Sequence, residues 1–101
     1  MARSPYAEQR GSSVYFYDEN GNKTGDVSCY SSDTFMGYGI MQCSFACIKK
    51  GSRLVIYNNI GKEIGSISLS AGDTVEKIDG DTIYLKSGSS TRKYGTNGRS
   101  K

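Results

Sequence analysis

A chain of 101 residues has room for one domain and one modest hydrophobic core. Its 13 glycines and 8 tyrosines, beside a single proline and no tryptophan, describe a soluble β-rich composition, and no run approaches the roughly 18 apolar residues of a membrane span. The absence of histidine takes away the usual general base, the usual partner of a nucleophilic serine or cysteine, and a common zinc ligand.

In chain order, residues 1–13 are polar, carry Arg3 and Arg10, and follow neither a strand nor a helix period, so they are expected to be a flexible N-terminal arm. The opening Met1-Ala2-Arg3-Ser4-Pro5 lacks the apolar region of a secretory signal, which makes the expected location cytoplasmic. Val14 to Tyr17 and Thr24 to Tyr30 form a first hairpin around Asp18-Glu19-Asn20-Gly21. In such a four-residue connection, a closing glycine supplies the positive φ that returns the chain. Ser31 to Gly39 is expected to be a connection, with Tyr38 exposed between Gly37 and Gly39. Ile40 to Ile48 alternates with Met41, Cys43, Phe45 and Cys47 on one face against Gln42, Ser44 and Ala46, which predicts a half-buried strand.

Leu54 to Leu69 repeats the pattern of Val14 to Cys29, forty residues on. Tyr17 matches Tyr57, Gly21 matches Gly61, Gly25 matches Gly65, and Ser28 matches Ser68. Leu54 to Tyr57 is apolar on both faces and is expected to be central. Thr74 to Ile78 and Thr82 to Lys86 close a last hairpin around Asp79-Gly80. The expected fold is all-β, a small antiparallel barrel or sandwich of about seven strands built from successive hairpins over residues 14–86, with the hairpin unit duplicated. Two copies fall short of the three that a repeat array needs for a continuous core.

Residues 87–101 show no strand pattern and are expected to be a flexible basic tail. Of 13 cations and 10 carboxylates, Lys86 to Lys101 holds five cations and no carboxylate, so the net charge of +3 belongs to this end. Arg92, Lys93, Tyr94, Arg99 and Lys101 are therefore candidate polyanion contacts, with cations for phosphates and a ring to stack on a base. The simpler reading is a solvated terminus.

Other constellations have structural explanations. Asp18, Asn20, Asn22, Thr24 and Asp26 alternate oxygens as a calcium loop does, but glycine sits fourth rather than sixth and Cys29 stands where a closing glutamate belongs. Asp79 and Asp81 are the one tight carboxylate pair, and they flank a turn. The three cysteines, Cys29, Cys43 and Cys47, are an odd number with no CxxC spacing, as expected of buried thiols in a reducing compartment. No metal, cofactor or enzymatic activity is expected. Tyrosines outnumber what a small core can bury with every hydroxyl satisfied, so some should lie at a surface. Tyr38, Tyr15, Tyr17 and Tyr84 are the candidate partner-binding residues, with cross-strand packing the alternative for those on strands.

YDENGNKTG at Tyr17 to Gly25 is similar to one turn of the YD repeats of Rhs-type proteins, and Leu54 to Leu85, with GKEIGSI and KIDGDTIYL, resembles half of a PRC barrel. Each likeness covers a third of the chain or less and consists mostly of hairpin punctuation, so neither implies an activity. The leading functional expectation is a non-enzymatic protein-interaction module that occupies a partner's surface or associates with itself, without a membrane. The alternative is a nucleic-acid-binding β-barrel that uses the basic tail and surface tyrosines.

Overall fold

A computed structural model describes residues 4–41 and 43–101; the side chains of Met41 and Cys43 also fall outside it, and with them the expected facing of Met41, Gln42 and Cys43. The described chain is all β, with ten strands: β1 (Tyr6–Arg10), β2 (Ser13–Tyr17), β3 (Lys23–Ser28), β4 (Asp33–Met41), β5 (Cys43–Lys50), β6 (Arg53–Tyr57), β7 (Glu63–Ser68), β8 (Thr74–Asp79), β9 (Thr82–Ser87) and β10 (Ser90–Gly95). They form three antiparallel meanders: a first sheet β1-β2-β3, a middle sheet β4-β5-β6-β7, and a third sheet β10-β9-β8.

The expected all-β antiparallel architecture is present, but with ten strands in three sheets instead of about seven strands, and with no closed barrel among the described residues. The reason lies in β5 and β6. Ala46, Cys47, Ile48, Leu54, Val55 and Ile56 are all fully buried, so both faces of these strands are covered. A strand apolar on both sides belongs in a middle layer. One cluster joins Phe45, Cys47, Leu54 and Ile56 to Ile83 and Leu85 of β9. The other joins Ala46 and Ile48 to Ala7, Val14 and Phe16 of the first sheet.

The three additional strands stand in segments expected to be irregular. The N-terminal arm contains β1, whose single buried side chain is Ala7. The basic tail contains β10, where four consecutive exposed residues hide any period. Asp33 to Met41 is a strand rather than a connection, so Tyr38 stands on β4 opposite Ala46. Gly39 is needed there because a Cβ would lie 2.5 Å from Ile78 Cγ2 and 2.7 Å from Phe45 Cε1. The aromatic ring occupies the space that a side chain at 39 would fill.

Among the described residues the hairpin unit occurs three times. Gly21, Gly61 and Gly98 close the same turn at φ 83°, 84° and 81°. The Asp18 N–H donates to Asn22 C=O at 2.9 Å, Asn58 to Lys62 at 2.8 Å, and Gly95 to Arg99 at 2.8 Å. Tyr17 pairs with Lys23, Tyr57 with Glu63, and Tyr94 with Ser100. The links between units also match, since Asp33 Oδ2 accepts from Tyr30 N at 3.0 Å and Asp73 Oδ2 from Ser70 N at 2.8 Å.

Each unit's turn rests on the returning strand of the unit before it. A Cβ on Gly25 of β3 would strike Ile60 and Asn59, and one on Gly65 of β7 would strike Thr96 and Asn97. Thr24 Oγ1 adds a 2.7 Å bond to Asn59 C=O. Lys50 Nζ makes a further stitch, reaching Asp33 Oδ2 at 2.9 Å and Ser28 C=O at 3.3 Å. The sheets are thus layers of a short array in which backbone meets backbone, a contact that glycine permits.

Candidate functional site

Stacking buries both faces of β5 and β6 in the middle sheet and leaves one free face on each outer sheet. Side chains at matching positions change accordingly. Counted from the shared turn glycine and tyrosine, Phe45, Cys47, Leu54 and Ile56 of the middle sheet become Thr82, Tyr84, Thr91 and Lys93 on the third. On the first sheet, the positions of Ala46, Ile48, Val55 and Tyr57 are taken by Tyr6, Glu8, Tyr15 and Tyr17. End layers of a stack need such polar outer faces to stay soluble.

The first end face gathers three tyrosines. Tyr6 and Tyr17 are directly paired across β1 and β2, and their rings stack at 4.7 Å with 16° between planes. Tyr15 lies beside them on the same face, with Lys23 Nζ 4.5 Å from its ring centre. Lys23 also bonds Asp26 at 2.8 Å, so the face carries charge of both signs around its rings. Sequence reasoning missed Tyr6 because β1 shows no period.

The expected residues do not form one patch. Tyr84 is at the opposite end, on the third sheet, with Lys77 Nζ 4.7 Å and Lys93 Nζ 5.8 Å from its ring centre. Tyr38 is 41 % exposed on β4 of the middle sheet, with Ile40 close by on the same strand at 37 %. Only Tyr15 and Tyr17 are together, joined by Tyr6.

The basic segment is structured. Arg92 and Lys93 are exposed on β10, while Tyr94 packs against the core formed with β9 and is half-buried. Lys101 Nζ pairs with Asp81 Oδ1 at 3.0 Å and bonds Thr82 Oγ1 at 2.9 Å. The hydrogen bond and the charge of Lys101 hold the Asp81 carboxyl below its ordinary pKa. Thr91, Arg92, Lys93, Tyr94, Ser100 and Lys101 line an open groove of about 670 Å³ along the outer edge of β10.

Other candidates resolve into structural roles. Asp18 Oδ1 accepts from the N–H groups of Asn20 and Asn22, each at 2.9 Å. Asn58 does the same for Ile60 and Lys62, so the calcium-like alternation is turn capping. Burial pushes the Cys47 thiol up to about 12 and raises that of Cys29, so both are protonated at neutral pH. No group of three metal-ligating side chains occurs among the described residues, and no helix there is long and apolar enough to cross a membrane. Comparison with known protein families, curated proteins and solved structures finds no match.

Proposed function

We propose that this chain is a small non-enzymatic interaction module that binds a partner protein through the outer face of its first sheet. The carrying observation is the Tyr6–Tyr17 stack with Tyr15 beside it, on a face whose counterpart in the middle sheet is interior. Tyrosine offers a large amphipathic contact at low entropic cost and is enriched at binding hot spots. The rings are already ordered by their neighbours, so little freedom remains to be lost on binding. Two buried free thiols support a reducing, cytoplasmic setting for this activity.

The test is affinity capture from a nuclease-treated native lysate with the wild type and a Tyr15→Ala/Tyr17→Ala variant. A protein retained by the wild type and lost by the variant, at similar thermal stability, is the expected result. Equal capture by both removes the tyrosine face as the contact. Size exclusion at two protein concentrations reads the self-association form of the same reading.

A second reading, nucleic-acid binding, draws on the exposed cations Arg92 and Lys93. It has less aromatic support, because Tyr94 is half-buried and Tyr84 lies near two lysines. Heparin retention that falls steeply with salt, and falls further in an Arg92→Ala/Lys93→Ala variant, would favour it.

A further inference from the structure

Among the described residues six strands end a sheet, and five of them show a device that keeps an edge from pairing with another chain. Each of β1, β3, β8 and β10 carries two or more charged side chains. β7 carries Glu63 and meets the third unit's turn at Gly65, where a Cβ would strike Thr96 and Asn97. β4 differs. Its one charged residue, Asp33, stands first and is bonded to Lys50, and after it the strand holds neither charge nor proline. Phe35 and Met36 pack against the two core clusters, and the register shift between Phe35 and Gly37 lies there. Beyond it, residues 37–41 pair with β5 without interruption, and Tyr38 and Ile40 are exposed. The strand is interior to the chain. A further repeat on either side would lay a sheet over a face, as β8 already does with Ile78 against Gly37 and Gly39, and would not lie beside β4.

We propose that β4 pairs antiparallel with β4 of a second copy of this chain, about a two-fold axis at Gly39. The axis follows from the uninterrupted segment, whose middle residue is Gly39. In that register Gly39 meets Gly39, Tyr38 of each copy faces Ile40 of the other, and Gly37 faces Met41. Two four-stranded middle sheets thereby become one continuous sheet. Main-chain bonds along the edge supply part of the affinity. An aromatic ring opposite a β-branched side chain is a favourable cross-strand pair, and the two-fold axis makes it twice.

Charge selects a second copy as the occupant. A charged edge needs a partner of complementary sign, whereas an uncharged edge meets its own copy without setting like charges opposite each other. The other sheet-ending strands of this chain would bring Glu, Asp, Lys or Arg side chains to β4 with nothing there to pair them. The assembly closes at two, because β7 at the far side of the middle sheet is held against the third unit's turn. Five paired residues per copy bury little area, so dimerisation is weak, at about 0.1 mM. The surface excludes Tyr6, Tyr15 and Tyr17, so this inference and the tyrosine-face reading stand or fall independently.

The measurement is sedimentation equilibrium of the 101-residue chain from about 0.01 to about 1 mM, where the mass should rise from monomer towards dimer. Tyr38→Lys/Ile40→Lys and Tyr38→Glu/Ile40→Glu each set like charges face to face and weaken dimerisation about tenfold, whereas an equimolar mixture of the two variants recovers it. Tyr15→Ala/Tyr17→Ala dimerises as the wild type does. Amide hydrogen exchange of the wild type at the two ends of the concentration range needs no variant, and protection within residues 37–41 rises with concentration when the backbones pair. A wild type that stays monomeric at about 1 mM overturns the inference. So does dimerisation that both charged variants retain, that the Tyr15→Ala/Tyr17→Ala variant loses, or that leaves exchange within residues 37–41 unchanged.

Discussion

Gly25→Ala isolates the contact between successive units. Gly25 does not lie in the left-handed region, so alanine introduces no dihedral strain, and the effect comes from the space it needs. The added Cβ would sit 2.6 Å from the Cα and carbonyl carbon of Ile60 and 2.7 Å from the oxygen of Asn59. Relaxed carbon contacts are roughly 3.5–4.0 Å, so the second unit's turn must retreat by about 1 Å. That movement also stretches the 2.7 Å bond from Thr24 Oγ1 to Asn59. Overpacking of this kind costs about 1–3 kcal/mol. Reduced entropy of the unfolded chain returns about 0.4–1 kcal/mol. The mid-range net loss, about 1.3 kcal/mol, corresponds to a Tm lower by about 5–10 °C for a domain of this size. Thermal unfolding followed by far-ultraviolet circular dichroism measures it, with Gly65→Ala expected to behave alike. Gly95→Ala is the control, since its Cβ meets the Asn97 side chain at 3.2 Å and no backbone closer than 3.9 Å. A Gly25→Ala Tm within about 2 °C of wild type would refute the layered contact.

The remaining predictions concern charge, thiols and the end face. The hydrogen bond from Lys50, with a second from the Tyr30 amide, holds the Asp33 carboxyl below its ordinary pKa despite partial desolvation. A carboxyl depressed in the folded state adds stability above the unfolded value of about 3.9, and that stability is lost as pH falls through the folded value. Urea midpoints measured from neutral pH downward should therefore fall more steeply for wild type than for Asp33→Asn, and parallel curves would contradict the pairing. Cys47 should resist iodoacetamide at neutral pH in the folded protein and react once unfolded, as read by peptide mass spectrometry; labelling within minutes in native buffer would show the core open. Thr91→Leu/Lys93→Ile, which gives the third sheet the apolar character of Leu54 and Ile56, should cause concentration-dependent association in light scattering. A strictly monomeric variant would mean that the polar outer face is not what keeps the stack finite.

The sequence showed the parts of this fold whose signals are local. Turn chemistry revealed the hairpins around Gly21, Gly61 and Gly80, and the doubly apolar run at Leu54 identified a central strand. What stayed hidden depends on layers. A strand on an end face alternates weakly, as β10 does with four exposed residues, because its outer side has no partner to bury against. The third copy of the unit was obscured for the same reason: Gly95 replaces the capping Asp18 and Asn58, and Thr91 and Lys93 replace Leu54 and Ile56. Its remaining signature was the spacing of Gly88, Tyr94 and Gly98, which matches Gly51, Tyr57 and Gly61. Tyr15 and Tyr17 were legible as surface candidates from number alone, whereas their partnership with Tyr6 required the pairing of β1 with β2.

The layered plan also limits where binding can reside. In the middle sheet, β5 and β6 are committed on both faces to the clusters around Phe45 and Ile48, so a substitution there is felt first as lost packing. The end faces and sheet edges carry no such demand. Tyrosines have collected on one end face, cations beside a groove on the outermost edge, and Tyr38 with Ile40 on β4 at the edge of the middle layer. A repeat that stacks through backbone contact at glycine keeps its geometry while these outer positions vary. The proposed contact through Tyr6, Tyr15 and Tyr17 uses a position of this kind, an outer face whose side chains the core does not claim.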